Sequence, residues 1–537
     1  MNSLPYFPLS ISRTHPLLFP LSAHAKRGNL LKYNASTLFF ATAEKGEGGM
    51  STCSQRRWLT VQCVIMKNIL LGGIILSSFL SCLNSCKTDS KKHDSSLDSL
   101  PAVTLVPPMG WNSFDAYDCR INEAQFREIV DYMAENLLSY GWNYAVIDYI
   151  WWHPHPGDWN NPKRRFGHPN IRYAQDGKPL DPTTIDQYGR LLPAVERFPS
   201  AADGKGFKPL ADYVHGKGMK FGIHIMRGIH RSAFYSDYPI KGTDWSARDI
   251  AEPADTCNWC NHMFGVDGSK EGAQDYYDSL FELYAAWEID FVKVDDILAP
   301  EYHKDEIEMI RSAIDKCGRP VVLSLSPGEA PLDMSVHLQE HANMWRISAD
   351  FWDEWDKLKE NFDLLNSWSS SIQSGSWPDA DMIPIGRISL GGRPHGPERY
   401  SKFTLPEHYT LLSLWMISRS PLMLGAYLPD IPETVLSMIK NPEVIAVNQK
   451  STGNRQLFKE NGKIGWIADD PVSGGKYIAL FNLNDSAMKV DLNFDSVTMD
   501  EKFRVRDLWK REDIGVFEKS FGVVLESHGA GLYRLER

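Results

Sequence analysis

Between Val106 and about Asn448 the chain alternates short β-branched runs with longer segments whose apolar residues recur at helical spacing. Such alternation predicts repeated βα units around a parallel sheet. The strand-like runs are Met109 to Phe114, Tyr144 to Asp148, Lys220 to Met226, Phe291 to Asp296, Val321 to Ser326, Met344 to Asp350, a less regular Trp377 to Ile385, and Pro421 to Gly425. Eight of them fit a (β/α)8 TIM barrel, an α/β fold, over residues 105–447. After the first run, Asn122 and Gln125 make a capping-box-like helix start, and Phe126, Ile129, Val130, Met133 and Leu137 then share one side until Gly141. A second helix, Gln274 to Trp287, carries Tyr277, Leu280, Leu283, Tyr284 and Trp287 on one side. These stripes are core rather than sites. The Trp- and Pro-rich stretch Trp151 to Pro209 has no period and reads as a long βα loop on the face where barrels carry their sites. From 448 to 537 the texture changes to short alternating strands, Lys463 to Ala468, Tyr477 to Leu483, Met488 to Phe494 and Gly531 to Leu535. They predict a C-terminal antiparallel β-sandwich.

The N-terminus reads as an address. Met66-Lys67-Asn68 precedes an apolar run, Ile69 to Leu80, too short to span a bilayer, which predicts a signal peptide over 66–86. Its end offers two lipobox-like cysteines, Cys82 and Cys86, and the pattern does not choose between them. The polar stretch from Lys87, within a linker over 87–104, has the composition of a solvated tether. Residues 1–65 lie upstream of a complete signal peptide and read as an early translation start, the alternative being a real extension. The expectation is an exported lipoprotein, periplasmic or on the cell surface, that meets the membrane only through its lipid.

Composition narrows the partners. A formal net charge of -11 gives no long-range attraction for phosphate backbones, so nucleic acid is not an expected partner. The 17 tryptophans include rings that can stack on the apolar faces of sugars, although most must be core. Of eight cysteines, only Cys119, Cys257, Cys260 and Cys317 remain past the leader, which is no disulfide scaffold. Cys257 and Cys260 have zinc-knuckle spacing with His262 nearby, but no second pair follows; a disulfide or two idle thiols are the other readings.

Candidate chemistry lies at the C-terminal ends of the barrel strands. Along Phe291 to Asp296, a period of two puts Lys293 and Asp295 on one face and Val292, Val294 and Asp296 on the other. The same period aligns Arg346, Ser348 and Asp350, and Asp148 closes the run Ala145 to Asp148. A lysine and a carboxylate in a barrel mouth are costly to bury unless they work or pair. Two inward acids flanked by cations suit double displacement at a sugar, one ionised as nucleophile and one holding a proton for the leaving oxygen. A salt-bridged structural network explains the pattern equally well.

Ordered strings separate these readings. Pro107-Pro108-Met109-Gly110-Trp111-Asn112-Ser113, Val146-Ile147-Asp148, Phe221-Gly222-Ile223, Phe291 to Asp295, Trp345-Arg346 to Asp350, Gly375 to Met382 and Ser420 to Gly425 resemble, in order, the motifs of glycoside hydrolase family 27 α-galactosidases. Arg504 to Trp509 and His528-Gly529-Ala530 resemble that family's C-terminal β domain. The resemblance implies Asp295 as nucleophile, Asp350 as acid/base, and Asp148, Lys293 and Arg346 as holders of sugar hydroxyls, with Trp111, Phe114 and Asp381 in the pocket motifs. Asp296 is a rival for nucleophile, but parity and the Lys-x-Asp spacing favour Asp295.

The glycone pocket departs from the family pattern. Tyr149 stands where a second Asp usually serves the C4 and C6 hydroxyls, Phe114 where a Trp is usual, His224 in place of a Tyr, and Leu325-Ser326-Pro327-Gly328 in place of the motif that reads the C2 substituent. With Ile297 and Leu298 after the nucleophile motif, the family disulfide there has no cysteine. Trp151, Trp152 and His153 either line the pocket or anchor their loop. The expected activity is a retaining exo-α-glycosidase on terminal α-galactosyl or related residues of oligo- or polysaccharides, with no cofactor and no metal in the acetal chemistry. Alternatives are another glycone (N-acetylgalactosamine, β-L-arabinopyranose, anhydro-galactose, an isomalto-type glucan) or a non-catalytic glycan-binding lipoprotein.

Overall fold

A computed structural model describes residues 102–156, 174–175, 183–392, 395–497 and 502–537. The signal peptide, Cys82, Cys86, residues 1–65 and nearly all of the linker lie outside the described residues.

Eight strands form one parallel sheet: β1 (Met109–Asn112), β2 (Tyr144–Ile147), β3 (Lys220–Met226), β4 (Phe291–Asp295), β5 (Val322–Leu325), β6 (Met344–Arg346), β7 (Trp377–Asp379) and β8 (Leu422–Leu424), in the order β7-β6-β5-β4-β3-β2-β1-β8. The ring closes just beyond β7, where Ile383 bridges Leu424 in parallel, its N–H donating to the Met423 carbonyl while Gly425 N–H donates to Ile383. The helices include α1 (Glu123–Asn136), α2 (Lys208–Gly216), α3 (Ala273–Ala286), α4 (Lys304–Lys316), α5 (Ser335–His341), α6 (Trp355–Trp368), α7 (Leu405–Ile417) and α8 (Pro442–Lys450). At the start of α1 the Asn122 side chain accepts from Gln125 N–H while the Gln125 side chain accepts from Asn122 N–H, so two orphan donors of the first turn are satisfied.

The period of two sorts the strand side chains. Tyr144, Val146, Phe291, Val322, Met344, Trp377 and Met423 pack together inside the barrel. Trp111, Ala145, Ile147, Val292 and Val294 face outward into the layer shared with the helices. The runs read as strands to Asp350 and to Ile385 overshoot. β6 ends at Arg346, and Ser348 to Asp350 are loop; β7 ends at Asp379, and Asp381 turns the chain with φ at +87° before it rejoins at β8. Apolar residues persist in both segments because Ile347, Ala380 and Ile383 are buried, not because they extend a ladder.

The C-terminal strands are β9 (Thr452–Glu460), β10 (Lys463–Asp469), β11 (Lys476–Asn482), β12 (Met488–Asn493), β13 (Lys502–Asp507), β14 (Glu512–Glu518), β15 (Ser520–Leu525) and β16 (Ala530–Glu536). A six-stranded antiparallel sheet, β9-β10-β11-β16-β13-β14, faces the β12-β15 pair. Ile467, Ile478, Leu480, Val490, Leu492, Phe503 and Phe521 fill the space between them. Alternate residues of β10 and β11, among them Trp466, Ala479 and Phe481, join the barrel-side core instead. Both faces of these strands are therefore buried, and α7, almost wholly buried from Thr410 to Ile417, lies between barrel and sandwich. None of the described helices is long and apolar enough to cross a membrane.

Candidate active site

The C-terminal ends of the barrel strands surround a cavity of ≈ 310 Å³, at the lower end of the ligand-pocket range of about 300–1,000 Å³. Asp148, Tyr149, Lys293, Asp295, Arg346, Asp350 and Asp381 line it, with Phe114, Asp115, Trp259, Pro327, Gly328, Trp352, Met382 and His395.

Strand parity delivers the charged floor. Lys293 and Asp295 point inward from β4, two and four residues past Phe291 in the barrel interior. Lys293 Nζ lies 3.0 Å from Asp148 Oδ2, which also accepts from Asn112 Nδ2 at 2.7 Å; Asp148 Oδ1 accepts from Tyr149 N–H at 2.8 Å. Burial would raise the Asp148 carboxyl, but Lys293, then His224 and these donors, hold it well below the ordinary carboxylate range. Burial likewise opposes the Lys293 charge, yet Asp148 and Asp295 outweigh it and raise the ammonium above its usual value. Both are ionised at neutral pH.

Asp295 is tuned the same way. Its Oδ2 sits 3.1 Å from His224 Nε2, and its Oδ1 accepts from the Asp296 N–H at 2.9 Å. Burial raises it, and the His224 hydrogen bond with the nearby charges more than compensates, leaving the carboxyl below its ordinary value. Asp296 takes a different course: its φ of +60° turns it out of the cavity toward Arg227, whose Nε lies 3.2 Å from the carboxylate. Burial dominates there and pushes Asp296 up to about 7.

Across the cavity Arg346 is buried and lies 2.7 Å from Asp381 Oδ2 and 3.3 Å from Asp350 Oδ1. Asp381 Oδ2 also accepts from Phe351 N–H, and the Asp381 carbonyl accepts from Trp415 Nε1 on α7. Asp350 itself stands at the rim, its side chain 63% exposed. Its loop approaches the one after β5 so closely that a Cβ on Gly328 would lie 2.0 Å from the Ser348 carbonyl oxygen, and only glycine fits there.

Three expected pocket residues sit elsewhere. Trp111 faces outward from β1, fully buried against Tyr117 and Phe126, with Nε1 donating to the Ala426 carbonyl; it is core and not a sugar contact. Ser326 is still held in the sheet layer, its N–H donating to the Val294 carbonyl, and Pro327 and Gly328 line the cavity instead. His224 is fully buried and reaches the cavity only through Asp295. Trp151, Trp152 and His153 are buried behind Tyr149 and anchor their loop; Trp151 Nε1 donates to the His224 carbonyl at 2.6 Å. Cys257 and Cys260 are free thiols here, and the Tyr149 hydroxyl donates to Cys260 Sγ at 3.1 Å. These contacts hold the Tyr149 ring edge-on to Trp259, with centroids 5.6 Å apart.

Sequence reasoning missed the aromatic mouth, where Trp352 stacks on His395 with centroids 4.3 Å apart, and it missed Asp115. Asp115 is 1% exposed, and neither carboxylate oxygen has a hydrogen-bond partner among the described residues. Burial, and then repulsion from Asp381, raise its carboxyl well above the usual range. Burial thus favours the protonated form of Asp115 on the cavity wall, a form that can donate a hydrogen bond.

A barrel mouth that sets the buried carboxylate of Asp295 against a second carboxylate at the rim, Asp350, with ion pairs beside both, has the arrangement a glycoside hydrolase uses. The alpha galactosidase A family matches residues 260–450, and the alpha galactosidase C-terminal beta sandwich domain matches 466–535. A solved GH27 β-L-arabinopyranosidase from Geobacillus stearothermophilus is 44% identical with a TM-score of 0.77, covering 82% of this chain and 98% of that one. A variant of that enzyme in complex with arabinose is likewise 44% identical, with a TM-score of 0.76, covering 82% of this chain and 99% of that one. Alpha-galactosidase 2 of Arabidopsis thaliana is 26% identical over 445 residues, 81% of this chain and 90% of its own length. The chain belongs to glycoside hydrolase family 27, and its substrate is a carbohydrate.

A carboxyl whose folded pKa is raised loses stability as pH climbs from its unfolded value near 3.9 toward its folded one, because only the unfolded state releases the proton in that window. Asp115→Asn removes this loss. Its melting temperature relative to wild type is expected to rise as the pH climbs above about 4, and a difference independent of pH would contradict a raised Asp115 carboxyl.

Proposed function

We propose that the chain is a retaining exo-glycosidase that releases terminal β-L-arabinopyranosyl residues, with Asp295 as nucleophile and Asp350 as acid/base. A β-L-arabinopyranoside is an α-galactoside ring with hydrogen in place of the C5 hydroxymethyl group. The observation that carries this reading is Tyr149: a phenol ring, fixed by Cys260 and backed by Trp259, walls the cavity where α-galactosidases of the family carry a carboxylate for the C4 and C6 hydroxyls. It removes both the room and the acceptor for a hydroxymethyl group. The 44% identity to an arabinopyranosidase over nearly its whole length supports the same reading.

In this mechanism the Asp295 carboxylate, oriented by His224 and the Asp296 N–H, attacks the anomeric carbon as the bond to the leaving oxygen breaks. Asp350 gives that oxygen its proton, then takes one from the water that releases the sugar from Asp295. Asp148 and Lys293 hold ring hydroxyls from the floor, while the Arg346–Asp381 pair sets the position of the Asp350 loop. Asp296 is tied to Arg227 outside the cavity and serves as scaffold. We further propose export and N-terminal lipidation at Cys82 or Cys86, supported by the apolar run Ile69 to Leu80 and the cysteines that end it.

One hydroxymethyl group in a fitted pocket is worth roughly 10–200-fold in discrimination. The aryl β-L-arabinopyranoside is therefore expected to exceed the aryl α-galactoside in kcat/KM by at least about tenfold, and Asp295→Asn to lower turnover by roughly 10⁴-fold or more. A preference for the α-galactoside would overturn the glycone assignment, and an active Asp295→Asn the mechanism. For the anchor, labelled palmitate should enter wild-type protein in a bacterial host and be lost on Cys82→Ser or Cys86→Ser; no incorporation would contradict lipidation.

A further inference from the structure

We infer that Glu308, His337 and His341 form a zinc-type metal site that clips α4 to α5 on the outside of the barrel. One ligand atom from each lies within 4.8 Å of the others. His337 and His341 are four residues apart on α5 and so share a helix face, their rings stacked with centroids 4.2 Å apart, and Glu308 reaches them from α4.

The surrounding hydrogen bonds prepare the imidazoles as ligands. His341 Nδ1 lies 2.8 Å from the His337 carbonyl oxygen, which can only accept, so Nδ1 carries the proton and Nε2 keeps its lone pair. His337 Nδ1 lies 2.5 Å from the Tyr302 hydroxyl, a partner that can accept the Nδ1 proton when Nε2 is given to a metal. An outer partner on the second ring nitrogen is what orients metal-bound histidines.

The spacing also fits. Ligands about 2.05 Å from a tetrahedral ion lie about 3.3 Å apart, and His337 Nε2 is 3.3 Å from Glu308 Oε1. Two imidazoles and one carboxylate suit zinc better than calcium or magnesium, which prefer oxygen. A water would complete four-coordination, and the ion would take no part in the glycosidic chemistry.

A second cluster sharpens the choice. Asp255, His303 and Glu306 are also within ligand reach of one another, but Arg227 already sits 2.7 Å from Asp255 and 2.9 Å from Glu306 and neutralises them. At Glu308 the counter-charge is Lys304 at 3.4 Å, itself 54% exposed and free to swing away.

The test is calorimetric titration of zinc into purified, chelator-stripped protein, beside His337→Gln/His341→Gln and Tyr302→Phe. Wild type is expected to bind one equivalent more than the double variant. Tyr302→Phe should keep that equivalent but weaken it roughly 10-fold, excess magnesium should not displace it, and glycosidase activity of the double variant should equal wild type. Equal zinc stoichiometry in wild type and the double variant would overturn the site.

Discussion

Lys293 and Asp148 face each other at 3.0 Å inside a barrel whose interior holds a buried apolar cluster. Neither charge would survive there alone, since stripping a lone ammonium or carboxylate of water costs several kcal/mol. Paired, they sustain each other's ionisation and add a cation beside Asp295, which His224 has already oriented. On the opposite wall Arg346 pairs with Asp381 and reaches Asp350, although burial still leaves the Asp381 carboxyl above its ordinary value. The parallel sheet brings these pairs within reach: Asp148, just past β2, and Lys293 of β4 meet across β3, and Arg346 of β6 meets Asp381, two residues past the neighbouring β7.

Strain gathers at the same rim. Ile150, Asp296 and Asp381, none of them glycine, all have φ between +60° and +87°, and they lie within three residues of the ends of β2, β4 and β7. Left-handed backbone at a β-branched residue such as Ile150 costs free energy that the surrounding packing must offset. The return is aim: the turn at Asp296 sends its carboxylate to Arg227 and leaves Asp295 facing the cavity, and the turn at Asp381 presents its oxygen to Arg346.

Much of this is legible in the sequence because a barrel strand is short, buried and strictly alternating. Parity alone separates Asp295 from Asp296, and the same rule applied to β1 would have sent Trp111 outward with Met109 and left Asn112 to meet Asp148. The wall of the cavity is less legible. Asp115 lies in a four-residue helix, Phe114–Tyr117, and Trp259, Trp352 and His395 in loops; their neighbours in space are far off in sequence, and no period marks them. Strands β9, β14 and β15 also lack a clean apolar alternation, and Glu512–Glu518 has no fully buried residue at all. Tyr149 is visible as a departure from the family motif, but its support by Cys260 and Trp259 appears only when a loop more than a hundred residues later folds over it. Specificity in this fold is thus carried by the loops, while the chemistry is carried by the strand ends.

The central claim is that Asp295 forms the covalent bond to the sugar. The most direct measurement is mass spectrometry of peptides after incubation with an activated 2-deoxy-2-fluoro arabinopyranosyl substrate, which slows release of the glycosyl-enzyme. The account predicts a single fluoro-glycosyl adduct on the peptide Phe291–Asp296, with fragmentation placing it at Asp295. An adduct on Asp296 or Asp350, or burst-free turnover with inverted configuration and no adduct, would contradict it.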